Sequence, residues 1–262
     1  MNHFRPLLPA AAALCALAGA AHAAPTQSLT LLGETRDYTD ARSPLSTVQL
    51  EYRRDLGTTD ILVAPSLNRQ RIGTAIVEAA GGAVTIDHQW SPALSTTTAL
   101  GLAENAGIAP WLSAQQDFHV KLAGHAVVSL GARLVRYRSG DAVFLNAGVR
   151  RYFRGGSIAY RLTRVEAGAR GSLVAHLANL SLDDARGSGR TQLWLGLGSS
   201  AEDRRDDGRM LSGKDWAATL RRVQPLAGPL SLTPAIGYSS LALSQGRVGA
   251  LSLALGLKLA LD

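Results

Sequence analysis

The 262-residue chain carries 27 Lys and Arg against 20 Asp and Glu, for a formal net charge of +7, and 46% of its residues are hydrophobic. Its single cysteine excludes a disulfide framework and a thiolate metal site. The bases are nearly all arginines scattered along the chain, with no block or basic helix to make a nucleic-acid footprint, so no nucleic-acid partner is expected.

The N-terminus reads as an export signal. Arg5 is the only charge before Glu34, Leu7 to Ala18 form a short apolar core, and Ala21-His22-Ala23 is a small-x-small cleavage site. The expected division is therefore a signal peptide over 1–23 and one β-domain over 24–262. Cys15 lies inside the signal, so the mature chain has no thiol. After the signal no segment approaches the ~20 apolar residues of a membrane-spanning helix.

Gly, Pro, Asp and Ser clusters punctuate the rest, and the segments between them alternate. The alternation predicts about fourteen strands, over 27–38, 44–56, 59–70, 74–90, 94–104, 111–122, 125–138, 142–154, 156–166, 171–183, 189–201, 213–225, 229–242 and 246–261. Side chains on a strand alternate faces, so each segment can be split into two sets. Val48, Leu50 and Tyr52 oppose Thr47, Gln49, Glu51 and Arg53. Leu112, Phe118 and Val120 oppose Gln115, Asp117 and His119; Leu130 and Leu134 oppose Ser129 and Arg133. The last segment is the most regular, with leucine at 251, 253, 255, 257, 259 and 261 and small or polar residues between.

Three features fit the pattern less well. In 171–183, Leu173 and Leu177 share a face while Val174, Leu180 and Leu182 take the other, which suggests a bulge or a shifted register. Pro65 and Pro234 fall inside proposed strands. Arg151 falls on the apolar face, at a strand end where it can snorkel to water.

One greasy face repeated behind an export signal predicts an all-β protein: a transmembrane, antiparallel, up-and-down β-barrel of twelve to fourteen strands. A closed barrel is the only way strands can cross lipid without unpaired backbone groups. This predicts residence in the bacterial outer membrane. Tight turns such as Leu56-Gly57-Thr58, Ala123-Gly124 and Arg154-Gly155-Gly156 are expected at the periplasmic end with both termini, and longer loops at the other end. The longest of those, Ala201 to Gly213, is rich in Asp and Arg. Trp90, Trp111, Tyr137, Tyr152, Phe153 and Trp216 lie near strand ends, where aromatic girdles belong.

The inward face is then charged. Glu51, Arg53, Asp87, Asp117, Arg133, Arg150, Arg161 and Arg221 are the predicted lumen-lining residues. Two interiors are compatible with them: a plug of Arg–carboxylate pairs, or a basic conduit for anionic solutes or acidic sugar polymers.

The stretch Leu130-Gly131-Ala132-Arg133-Leu134-Val135-Arg136-Tyr137, the segment Leu145-Asn146-Ala147-Gly148-Val149-Arg150-Arg151-Tyr152-Phe153, and the strand Ile158-Ala159-Tyr160-Arg161-Leu162 together resemble the YaiO family of outer-membrane β-barrel proteins. Trp194-Leu195-Gly196-Leu197-Gly198 followed by Glu202, the early Thr39-Asp40, and Gln89-Trp90-Ser91-Pro92 extend the resemblance over most of the mature chain. Arg151 departs from it, standing where the family commonly has an aromatic residue. The resemblance implies a single-barrel outer-membrane protein and brings no catalytic residues.

The residues contain no Gly-x-Ser-x-Gly elbow, no His-Glu-x-x-His and no metal-ligand spacing, so no catalytic, cofactor-binding or metal residues are predicted and no cofactor is expected. The function expected is non-enzymatic: structural, or passing solutes or polysaccharide across the outer membrane. The partners expected are outer-membrane lipids, the barrel assembly machinery and an anionic solute or polysaccharide. The alternatives are a lipid-modifying hydrolase built on His88, His119, His125 or His176 with Asp87 or Asp117, and an adhesin-type barrel acting through 201–213.

Overall fold

The computed structural model describes residues 26–39, 43–72, 74–104, 108–137, 140–166, 172–185, 189–204, 209–243 and 246–261. The proposed signal peptide lies outside them. Fourteen strands follow in chain order: β1 Gln27–Tyr38, β2 Leu45–Asp55, β3 Thr59–Ile72, β4 Ala75–Gln89, β5 Leu94–Ala103, β6 Leu112–Leu122, β7 Ala126–Tyr137, β8 Gly140–Phe153, β9 Gly156–Glu166, β10 Ser172–Asp183, β11 Arg190–Arg204, β12 Arg209–Pro225, β13 Leu230–Leu243 and β14 Gly246–Leu261. Each pairs with its sequence neighbours, and β1 pairs with β14 from Gln27↔Leu261 to Tyr38↔Ala250, closing an antiparallel barrel.

The register sets the barrel's width. Following partners from β1 strand by strand around to β1 displaces the starting position by 14 residues. With ordinary strand spacing and rise, that shear tilts the strands by about 35° and gives a backbone radius of about 13 Å. A bore of this width is too large for inward side chains of ordinary length to meet everywhere across the axis.

The leucine face of β14 is the outer face. Leu251, Leu253 and Leu255 are exposed, as are Leu50, Leu100, Phe118, Leu130, Leu145, Leu195 and Ile236 on other strands. In a membrane protein this exposure is contact with lipid tails. The period-two pattern places the residues between them on the inner face all around the barrel.

The irregular features resolve individually. In β10 the ladders to β9 and β11 run unbroken, so the strand has neither bulge nor slip. Its inward positions are simply occupied by Leu173 and Leu177. The two prolines are tolerated because each spends its missing N–H on one side only. Pro65 pairs with Gly82 of β4, while the β2–β3 ladder skips from Gln49↔Ser66 to Tyr52↔Val63. Pro234 pairs with Leu255 of β14, while β12–β13 skips from Arg221↔Ala235 to Gln224↔Leu232. Arg151 stands on the outer face, two residues before the end of β8 at Phe153.

Three expectations are corrected. The segment 201–213 is mostly strand: β11 runs to Arg204, β12 starts at Arg209, and the two pair up to Arg204↔Arg209, with 205–208 outside the described residues. Next, the connections at the two ends are similar in length; the asymmetry lies in hairpins such as β11–β12 that extend the wall past its neighbours, with β12 at 17 residues against 10 for β5. A polar hairpin in water still gains by pairing its backbone groups, so charge alone does not make a loop. Finally, Tyr137 and Tyr152 do not join an outer girdle. Both fall on the inner face by register, Tyr137 against an apolar cluster and Tyr152 on an interior cavity.

Candidate functional site: the barrel interior

The interior has two zones. Toward the end without termini, Ala142 and Val165 are buried, with Tyr137, Phe144 and Leu173 packed against them. These residues come from β7 to β10 and make that side of the bore apolar, while the facing inner wall of β1 to β3 carries Glu34, Thr47, Asn68 and Gln70. Toward the end that carries both termini lies a polar cavity of about 1010 Å³. Its lining comes from β2 through β11, so it occupies the bore itself.

The register puts all eight predicted lumen residues on the face that carries Ser252 and Ala254 of β14. Four of them line the cavity: Arg53, Asp87, Arg150 and Arg161. Arg53 donates to both carboxylate oxygens of Asp60, with Nε to Oδ1 at 2.9 Å. Asp87 accepts a hydrogen bond from the Thr97 hydroxyl, which also contacts His119 Nε2 at 3.2 Å. Asp117 sits at the cavity's inner margin, almost fully buried. Its Oδ2 accepts from Gln115 at 2.6 Å and lies 4.0 Å from Arg161, while Oδ1 has no hydrogen-bond partner.

The other three are not brought to the cavity. Glu51 accepts from its strand neighbour Gln49 at 2.8 Å. Arg133 lies over the Phe144 ring, 6.0 Å from its centre, at the border of the apolar zone. Arg221 on β12 faces Ala235 and Gln192 in the ladders, away from the cavity lining.

The cavity is divided by charge. Asp55, Asp60 and Asp87 stand on the β2–β4 wall with Arg53 among them, and Arg150 and Arg161 stand on the β8–β9 wall. Oppositely charged walls set up a transverse field in a low-dielectric tube. Sequence reading missed Asp60, His88, Thr97, Asn179 and Trp194 as cavity residues. Parity gave a usable signal for Trp194, which alternates with Leu193 and Leu195. Nothing in the sequence linked Thr97 to Asp87, because the contact follows from the β4–β5 register.

Of the four histidines considered for hydrolysis, His88 and His119 are at the cavity and His125 and His176 are not. His88 Nδ1 contacts the Thr59 hydroxyl at 2.8 Å, and its ring meets Trp90 edge-on. His119 contacts Thr97. His176 contacts the Tyr160 hydroxyl at 2.6 Å on the outer face. His125 occupies the β6–β7 turn with φ 61°. Among the described residues no group of three His, Cys, Asp or Glu gathers as a metal site.

A closed fourteen-strand barrel with an oil-facing outer surface and a polar bore is a bacterial outer-membrane β-barrel. Residues 26–203 match the YaiO membrane beta barrel domain, and the chain belongs to that family. Solved structures of the same architecture include a bacterial polysaccharide outer membrane secretin, aligned over 92% of this chain and 100% of that one at a TM-score of 0.58 and 7% identity. The translocator domain of autotransporter NalP from Neisseria meningitidis aligns over 97% of this chain and 93% of that one, at a TM-score of 0.50 and 13% identity. At such identities the likeness is one of fold.

Proposed function

We propose that this protein is a non-enzymatic conduit of the outer membrane, taking hydrophilic anionic solutes or polysaccharide into its bore, with the eight inward charges as its lumen lining. One observation carries the reading: the cavity of about 1010 Å³ in the bore, where Asp55, Asp60 and Asp87 line one wall and three arginines, Arg53, Arg150 and Arg161, complete the charged lining. It lies at the upper end of the size range of ligand pockets. A plug of paired side chains would leave no such volume, and only Arg53 of these three has a close carboxylate partner. The apolar cluster of β7 to β10 is then the resistance a solute meets on the way through. Lipids of the outer membrane cover the leucine face, and the barrel assembly machinery inserts the chain.

Planar-bilayer recording of the folded protein tests this. Stepwise currents with a preference for anions are expected, and silence at every voltage would overturn the conduit. Lipid profiles of envelopes carrying His88→Ala, His119→Ala, His125→Ala and His176→Ala proteins should match the unsubstituted protein's; an altered profile would favour a hydrolase.

A further inference from the structure

The β8–β11 wall of the cavity has an order that the charge count does not reveal. Arg150, Ala159, Asn179 and Trp194 are direct partners in successive ladders, so they form one row across four neighbouring strands. At ordinary strand spacing the row is about 14 Å long. One step along, Arg161 stands between Gly148 and Leu177 in the same ladders, so it is the diagonal neighbour of Arg150. Ala159 opens onto the cavity beside the two guanidinium groups, while the Ser129 side chain lies over Gly148.

These groups have little else to bind. Arg150 has no hydrogen-bond or ion-pair partner among the described residues, and the nearest carboxylate to Arg161 is Asp117 at 4.0 Å. The Asn179 amide donates to the Leu193 carbonyl at 3.2 Å, which leaves its carbonyl oxygen as an acceptor. Trp194 closes the row, beside Gly196 on its own strand.

We propose that this row is a binding site for an acidic sugar chain, with a carboxylate-bearing residue held by Arg150 and Arg161 and the next pyranose ring lying on the Trp194 face. The inference rests on the conduit reading and names its substrate class. Paired guanidiniums match a carboxylate's two oxygens. A sugar ring offers a C–H face to an indole and hydroxyls to Asn179. The row's length fits two linked sugars. Simple anions need the arginines and make no use of the tryptophan.

The test uses the full folded protein in detergent micelles, titrated calorimetrically with a uronic acid hexamer, an uncharged glucose hexamer of the same length, and inorganic phosphate. The uronate oligomer is expected to bind more tightly than either control. Arg150→Gln with Arg161→Gln should weaken the uronate oligomer by at least about tenfold and leave the glucose oligomer unchanged. Trp194→Ala should weaken both oligomers by about fivefold and leave phosphate unchanged. Phosphate binding as tightly as the uronate oligomer, or uronate binding indifferent to these three substitutions, would overturn the site. Anion-selective current without uronate binding overturns this inference and leaves the conduit standing. Uronate binding without current overturns the conduit and leaves the site.

Discussion

At the scale of single residues, Asp117 shows how tightly the inner face is fitted. It pairs across β6–β7 with Gly131, and a Cβ at position 131 would come within 1.7 Å of Asp117 Oδ1. The carboxylate therefore lies flat over a glycine and reaches Gln115. Gly131→Ala should displace it and destabilise the barrel by about 1–3 kcal/mol, read as a lower urea midpoint in vesicles. An unchanged midpoint would show that the carboxylate swings away at no cost. A second residue pair, at the end with the termini, predicts a pH effect. The Arg222 guanidinium binds Asp184, with Nη1 to Oδ1 at 2.7 Å, and holds that carboxyl below the usual range. A depressed carboxyl contributes stability above its unfolded pKa and loses it as the pH falls through the folded value. Asp184→Asn should therefore lower the midpoint slightly at pH 7, and the gap to the unsubstituted protein should narrow at pH 3. A gap that widens toward acid would refute the assignment.

At the scale of elements, each strand has one job per face. Leu253 of β14 is exposed to lipid, while its neighbour Ala254 points into the bore. Leu253→Arg should cost about 2–4 kcal/mol of folding free energy in bilayers, whereas Ala254→Ser should be nearly neutral. Equal costs at the two positions would mean that the faces are reversed. Tyr238 and Gly249 illustrate the same division on the outer surface. The tyrosine hydroxyl lies over the glycine, where a Cβ would meet it at 2.4 Å, and the ring stands 5.3 Å from that of Trp216. A bare glycine in a strand is thus covered by an aromatic from the next strand.

At the scale of the whole molecule, stability and lipid compatibility both come from closure. The β1–β14 ladder joins the two ends of the chain, so removing 246–261 would leave β1 and β13 as open edges in lipid. Such a truncation should fail to give the compact, heat-modifiable band of a folded barrel on cold electrophoresis. A folded band would show that the remaining strands can close on themselves.

Strand positions and faces were legible in the chain because oil on one side of a sheet imposes a period of two that neighbouring segments repeat. Leu251 to Leu261 announces its outer face without help from any other segment. Arg204 and Arg209 were misleading for the converse reason: beyond the membrane, pairing is a backbone matter, and polar side chains report only on water. Tyr137 and Tyr152 misled because an aromatic residue near a strand end suits an interface or an interior equally well.

By itself the sequence determined that this chain crosses a membrane as strands, which residues face oil, and that the other face is charged. Only the tertiary structure decided which inward residues meet, because neighbours around a barrel are set by the register and shear accumulated over fourteen ladders. That accumulated offset lines up Arg150 with Trp194 and keeps Arg221 out of the cavity.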